Sequence, residues 1–393
     1  MPPDRRRAGA QPASAPRIPA LYAGFLLTGA LTVLLGAMLP RAAAMDHLRD
    51  VQSGTLLMSQ FAASACGALF VRRRWQRTLV WGYGLISAGA FALLFAPGTL
   101  AVLAIATYGL GLGMAMTSTS LLVGRLFPSS RAAALSLLNF SWSIGSMLCP
   151  LAVARIPGVF SLSALSVPVA LLSAVFAVVS RFARFAPPPD EKPRQSPETV
   201  DRITTVIVQF AVIGFLYVGI EATIGGWIST YTLRVTDWKF AGGNLAAACF
   251  WGAILLGRGI APLLLRRIPE LRLHVFAVFF VAVGVLLLFA AHDPWMLLTG
   301  ACFAGLSLAP IYPLTISLFI GRAGETARAG WVFAVAGFGG AVVPWLTGVV
   351  STATHSLRAA LLVVFFAAVA MLLITLRTTA RARSPLRTIP AGT

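Results

Sequence analysis

Only twelve carboxylates occur in the 393 residues, and eleven of them fall in tails, loops or the edges of apolar runs. Glu221 is the exception. It sits about 16 residues into a long apolar run, ~24 Å of helix at 1.5 Å per residue. An ionised carboxylate at that depth must be paired, protonated or turned toward a cavity. Burial raises a carboxylate's pKa, so the chemistry on offer is ligand contact or the uptake and release of a proton. A structural contact between helices is the competing reading.

Tyr217, Glu221, Ile224, Ile228 and Tyr231 follow one another at helical spacing and form a single stripe. Gly225-Gly226-Trp227 interrupts it with two poor helix formers, which either loosen the helix or let another helix approach closely. Arg258 is the other charge at depth. Arg266 follows it by about two turns, so its long side chain could snorkel to the surface, which favours a gating or structural role. Uncharged polar and aromatic residues inside apolar runs include Gln60, Asn139, Trp142, Ser143, Asn244, Trp251 and Tyr312. Amides and indoles around a wet cavity suit a neutral polyhydroxylated ligand, with rings stacking on its faces and amides bonding its hydroxyls. For any one of them, a helix–helix hydrogen bond worth ~0.6 kcal/mol is the plainer role.

The elements that must hold these side chains are membrane helices. Apolar residues make up 58% of the chain and charged residues 11%, against ~45–50% and ~25% in soluble domains. A soluble fold could not cover its surface with so few charges. The net charge of +19 invites a nucleic-acid reading, but the arginines stand in short clusters between apolar runs, with no aromatic-interleaved basic face. Cys66, Cys149, Cys249 and Cys302 show neither a CxxC pair nor zinc spacing, so no metal or other cofactor is expected. The arginines, apolar run and small residues at the amino end mimic a signal peptide. The run from Ala20 to Leu39 is too long for one and reads as an uncleaved first helix.

Twelve apolar spans are expected at about 20–40, 53–71, 78–96, 99–123, 132–153, 161–182, 204–231, 241–264, 273–291, 295–320, 329–350 and 356–376. The fold class is therefore all-α, a membrane protein of two six-helix bundles. Residues 1–19 form an N-tail, 20–182 and 204–376 the two bundles, 183–203 a proline- and charge-rich linker, and 377–393 a C-tail. With both termini inside, the inner segments hold 24 basic residues and the outer loops six, which orients the chain with cytoplasmic termini in a cell inner membrane.

The halves repeat. Gly24-Phe-Leu-x-x-Gly29 and Gly36 match Gly214-Phe-Leu-x-x-Gly219 and Gly226, and Gly145-x-x-x-x-Pro150 matches Gly339-x-x-x-x-Pro344. Leu-Val-Gly-Arg125 matches Phe-Ile-Gly-Arg322, and Arg73-Arg74 matches Arg266-Arg267. Ordered matches at offsets near 190–197 predict a duplicated unit related by a two-fold axis along the membrane normal, an arrangement found in transporters.

The repeat and the basic loop after span two resemble the major facilitator superfamily over essentially the whole chain. That family's loop pattern, Gly-x-Leu-x-Asp-Arg-x-Gly-Arg-Arg/Lys, stands here as Gly67-Ala-Leu-Phe-Val71-Arg72-Arg73-Arg74-Trp75-Gln76-Arg77, with Val71 in place of the aspartate. The resemblance implies gating roles for Gly67, Arg72, Arg73 and Arg77, with Arg258 added from its depth. Three stretches, Tyr217 to Tyr231, Asn139 to Gly145 and Phe250 to Arg258, are similar to the fucose and glucose/mannose permease branch of sugar symporters. That branch carries proton-coupling acids in its first half, where this chain has none within spans one to six.

The expectation is a secondary transporter, not an enzyme, moving a small polar solute by alternating access. The solute is expected to be a hexose-like sugar and the driving ion a proton. Glu221 would couple proton to substrate. Tyr217, Trp227, Asn139, Trp142, Gln60, Asn244, Trp251 and Tyr312 would line the site. The expected partners are the substrate, protons and the lipid bilayer, with no nucleic acid and the chain acting as a monomer. An exporter of amphipathic drugs or metabolites on the same fold, and a transport-incompetent membrane sensor, are the alternatives.

Overall fold

A computed structural model describes residues 17–72, 74–96, 98–127, 130–156, 165–183, 200–323 and 329–383. Every regular element among them is helical. In chain order these are α1 (Arg17–Met45), α2 (Asp50–Leu69), α3 (Trp75–Ala92), α4 (Thr99–Leu126), α5 (Arg131–Arg155), α6 (Ser166–Phe182), α7 (Val200–Val235), α8 (Phe240–Leu264), α9 (Glu270–Ala290), α10 (Pro294–Leu308), α11 (Ile311–Ala323), α12 (Ala329–Thr354) and α13 (Leu357–Arg383). α10 and α11 make one broken traverse, so the chain crosses twelve times. The break falls at Ala309-Pro310, where proline removes a backbone donor. Nine described segments, Pro294–Phe319 among them, are long and apolar enough to cross a membrane. α2, α3 and the shorter α6 are not among the nine. α2 carries Gln52, Ser53, Thr55, Ser59, Gln60 and Ser64, but it is packed between α4 and α12, which buries Ser53 and Gln60, and Ser64 lines the cavity described below.

Several helices overrun the expected spans, whereas α2 and α3 stop short of the expected 71 and 96. α1 continues to Met45, α7 runs from Val200 to Val235 and α13 reaches Arg383. Apolar length marks the hydrocarbon layer, whereas a helix satisfies its own backbone and continues into the headgroup region. Most of the expected linker, 184–199, lies outside the described residues, as do most of the N-tail and the end of the C-tail.

Packing follows the repeat. In the first half α1 lies on α5, α2 on α4, and α3 on α4 and α6. In the second half α7 lies on α12, α8 on α10, and α9 on α10 and α13, the same pattern shifted by six traverses. Between halves, α2 packs on α12 and α5 on α8, while α1 meets α7. The repeated glycines explain part of this pattern. A Cβ on Gly145 would stand 1.9 Å from the Leu26 carbonyl oxygen, and one on Gly339 1.9 Å from that of Phe215, so both crossings bring backbone to backbone. A Cβ on Gly36 would stand 2.9 Å from Cα of Gly226, its own repeat partner, which places the α1/α7 crossing on the pseudo-two-fold axis. The face bearing the start of α1 and the end of α13 is called the terminal face below, and the opposite one the far face.

Candidate substrate cavity

A cavity of about 230 Å³ lies between the halves. Gly36, Gly225 and Gly226 roof it toward the far face, and its lining reaches Ala68, Thr117 and Gly337 on the terminal side. α2 and α4 contribute Leu57, Gln60, Phe61, Ser64 and Met116, α5 contributes Trp142, α7 Glu221, and α8 Trp251.

Glu221 sits in the cavity wall with a side chain 13% exposed. Helical spacing puts Tyr217 one turn before it, and the Tyr217 hydroxyl donates to Glu221 Oε1 at 2.8 Å. Tyr312, at the start of the terminal-side half of the broken traverse, stacks on Tyr217 with ring centroids 5.5 Å apart. Arg258 approaches the same carboxylate oxygen at 3.4 Å, its side chain 15% exposed. Its other terminal nitrogen donates to Ser143 Oγ at 2.6 Å, and its guanidinium lies 5.6 Å from the Trp142 ring centroid. Ser143 and Trp142 belong to α5 in the first half, whereas Glu221 and Arg258 belong to the second. The one deep acid and the one deep base are therefore joined, and the base bridges the halves. The sequence gives Arg258 a gating or structural role without its partners, and Ser143 only a place among the polar residues of the spans. The signal available was its place beside Trp142 on one face of α5.

Trp142 and Trp251 meet edge to face across the halves, ring centroids 5.6 Å apart. Among the described residues neither buried indole N–H finds a hydrogen-bond partner, and neither does the buried Oε1 of Gln60, whose Nε2 donates to the Thr32 carbonyl at 2.8 Å. Three cavity residues thus keep two donors and one acceptor uncommitted.

Five expected residues are not part of the cavity lining: Tyr217 and Tyr312 stack behind Glu221, and three more lie elsewhere. Trp227 is buried between α7 and α12, where its indole donates to the Pro344 carbonyl oxygen at 3.1 Å. Asn244 is buried near the far-face end of α8 and donates to Phe240 O in its own helix. Asn139 is exposed and donates to Leu135 O one turn back. Among the expected gating residues, Gly67 allows α2 to touch α4, since a Cβ there would stand 2.2 Å from the Leu110 carbonyl oxygen. Arg72 and Arg77 are exposed, and Arg73 lies outside the described residues. In the first turn of α3, Gln76, to which the sequence gives no role, donates to the Ser180 and Ala183 carbonyl oxygens at the end of α6. Trp75 lies under the Arg125 guanidinium, 5.1 Å from it.

The family model described as Major Facilitator Superfamily matches residues 21–329. The chain belongs to that superfamily. As a facilitator it is a transporter and not an enzyme, a multi-pass membrane protein built on this fold. A glucose/galactose transporter of Brucella abortus is 24% identical over 360 residues, covering 84% of this facilitator and 86% of the relative. The glucose/mannose transporter GlcP of Bacillus subtilis is 25% identical over 142 residues, 35% of each chain. Among solved structures, the facilitator FucP in its outward conformation aligns with TM-score 0.64 at 17% identity, covering 95% of this chain and 100% of that one. A bacterial homologue of the lysosomal transporter Spinster aligns with TM-score 0.71 at 15% identity, covering 96% and 100%. Peptide transporter POT in complex with sulfate aligns with TM-score 0.73 at 14% identity, covering 93% and 94%.

Proposed function

We propose that this facilitator imports a single hexose-like sugar with a proton by alternating access of its two halves, with Glu221 as the proton carrier. The observation that carries the reading is the chain Tyr217–Glu221–Arg258–Ser143, which links a carboxylate in the cavity wall to a hydrogen bond between the halves. With Glu221 ionised, Arg258 balances its charge. With Glu221 protonated that attraction is lost, and the guanidinium is left with Ser143 and the Trp142 face on the opposite half. Proton binding thereby changes the energy of a contact that alternating access must make and break.

The lining is largely apolar, with Val33, Leu57, Phe61, Leu112, Met116, Val218 and the two indoles, so the sugar reading rests on its polar groups, Thr32, Gln60, Ser64, Thr117 and Glu221, and on the relatives. The indole N–H groups and Gln60 Oε1, enclosed in this state, would meet hydroxyls once the wall moves, and the crossed indole rings suit the apolar face of a pyranose. The cavity, about 230 Å³, has room for a sugar ring. The relatives named as glucose/galactose and glucose/mannose transporters, and the E. coli fucose:proton symporter FucP on the same fold, agree with this class. The arginine bias supports a cell inner membrane with both termini cytoplasmic, so the cavity faces the cytoplasm. A cavity completed within one chain supports a monomer.

The experiment is uptake of a labelled sugar panel into proteoliposomes, with and without an inward proton gradient. Concentrative uptake of a monosaccharide only under the gradient is expected. Gradient-independent accumulation, or uptake of no sugar alongside export of apolar cations, would overturn the reading.

A further inference from the structure

The far face holds a second charged cluster, away from the cavity. Asp50 opens α2 and Arg234 lies near the end of α7, 184 residues on and in the other half. Both terminal nitrogens of Arg234 donate to the Asp50 carboxylate, each at 2.6 Å, a bidentate fork. Ser351, near the end of α12, donates to the same carboxylate at 2.5 Å, and Thr352 Oγ1 accepts from the Val51 backbone N–H at 2.9 Å. The Asp50 side chain is 10% exposed. A Cβ on Gly348 would stand 2.5 Å from the Asp50 carbonyl oxygen, so α12 is pressed against the start of α2 at the same point. Every one of these contacts joins the first half to the second.

We infer that Asp50, with Arg234 and Ser351 as its partners, is the latch that keeps the far face closed, and that this face opens only when the Asp50–Arg234 fork separates. The halves meet here on the closed side of the cavity, beyond the Gly36/Gly225 roof. Opening that roof means moving α2 away from α7 and α12, and no such movement preserves a two-pronged bond from α7 together with a third from α12. The inference rests on the alternating-access reading above but not on the sugar or the proton.

The test is labelling by a membrane-impermeant maleimide at two introduced cysteines. Ser53→Cys lies one turn beyond Asp50, buried on the face it shares with Leu57, and Leu57 lies against Gly226. Ala68→Cys reports the cavity's terminal-side mouth. The unsubstituted protein, with Cys66, Cys149, Cys249 and Cys302, sets the background. Adding Asp50→Asn or Arg234→Gln should raise far-face labelling at Ser53→Cys roughly fivefold, the population change for ~1 kcal/mol, and should lower terminal-face labelling at Ala68→Cys. Exchanging the charges, Asp50→Arg with Arg234→Asp, should return both rates toward the starting values. If Asp50→Asn does not reach the membrane, Arg234→Gln removes the more exposed member and carries the same test. Unchanged Ser53→Cys labelling in the well-expressed single variants would overturn the latch. So would a rise at Ser53→Cys with no fall at Ala68→Cys, because the pair would then be a local contact only. A lack of sugar uptake beside reciprocal labelling would overturn the substrate reading and leave the latch standing.

Discussion

Three side chains carry the residue-scale argument: Glu221, Trp142 and Trp251. Glu221→Gln keeps size and hydrogen bonding and removes titration. The variant should lose concentrative uptake yet retain sugar exchange, whereas a purely ligand-binding carboxylate would lose both together. Wild-type concentrative uptake in well-expressed Glu221→Gln would end its role as carrier. Trp142→Phe and Trp251→Phe each keep a ring and delete an uncommitted N–H. Each should raise the uptake KM about fivefold, for a hydrogen bond worth ~1 kcal/mol, with the maximal rate little changed. Equal losses for sugars lacking any one hydroxyl would show that the indoles do not read hydroxyls. The Tyr217–Glu221 bond was legible in the sequence because both ends lie on one helix, one turn apart. The Arg258–Ser143 bond was not, because it spans 115 residues and two halves. Trp227 misled for a related reason. Its neighbours suggested a ligand site, but a side chain's direction on a helix is settled by the neighbouring helix, here α12.

At the scale of elements, the glycines of the repeat are where the helices cross. Gly145→Val and Gly339→Val would each drive a side chain into a facing carbonyl, at Leu26 and Phe215 respectively. Each should lower unfolding stability by roughly 1–3 kcal/mol, read as a lower midpoint in detergent. Gly84→Ala is the control, since a Cβ there meets nothing within 4 Å. A loss at position 84 equal to those at 145 and 339 would refute the crossing argument. Spans, crossings and duplication could be read from apolar runs and spaced glycines because those patterns are local. Helix ends could not. Neither could the polar face of α2, which hydropathy counts as a weak span although it packs on α12 in the other half.

For the whole molecule, the two-fold relation brings equivalent helix ends together twice on the far face. The end of α7 meets the start of α2 through Arg234 and Asp50, and the end of α1 meets the start of α8 through Arg41, 3.6 Å over the Phe240 ring. Between these two seams lies the backbone contact of Gly36 with Gly225 and Gly226. Gly36→Val would wedge that contact, so it should favour the far-open state without touching a charge. Faster far-face labelling at Ser53→Cys with the Asp50–Arg234 pair intact is the expected result, and unchanged labelling would count against it. Asp50 escaped the sequence reading because an acid at a span edge is ordinary until its partner is known. The crossed indoles have one more consequence. Trp142 belongs to one half and Trp251 to the other, and at 5.6 Å their excited states interact. When the halves swing apart that coupling weakens, so the near-ultraviolet circular dichroism of the unlabelled protein contains an optical gauge of the transport cycle. The part of the spectrum lost equally in Trp142→Phe and Trp251→Phe is its reading.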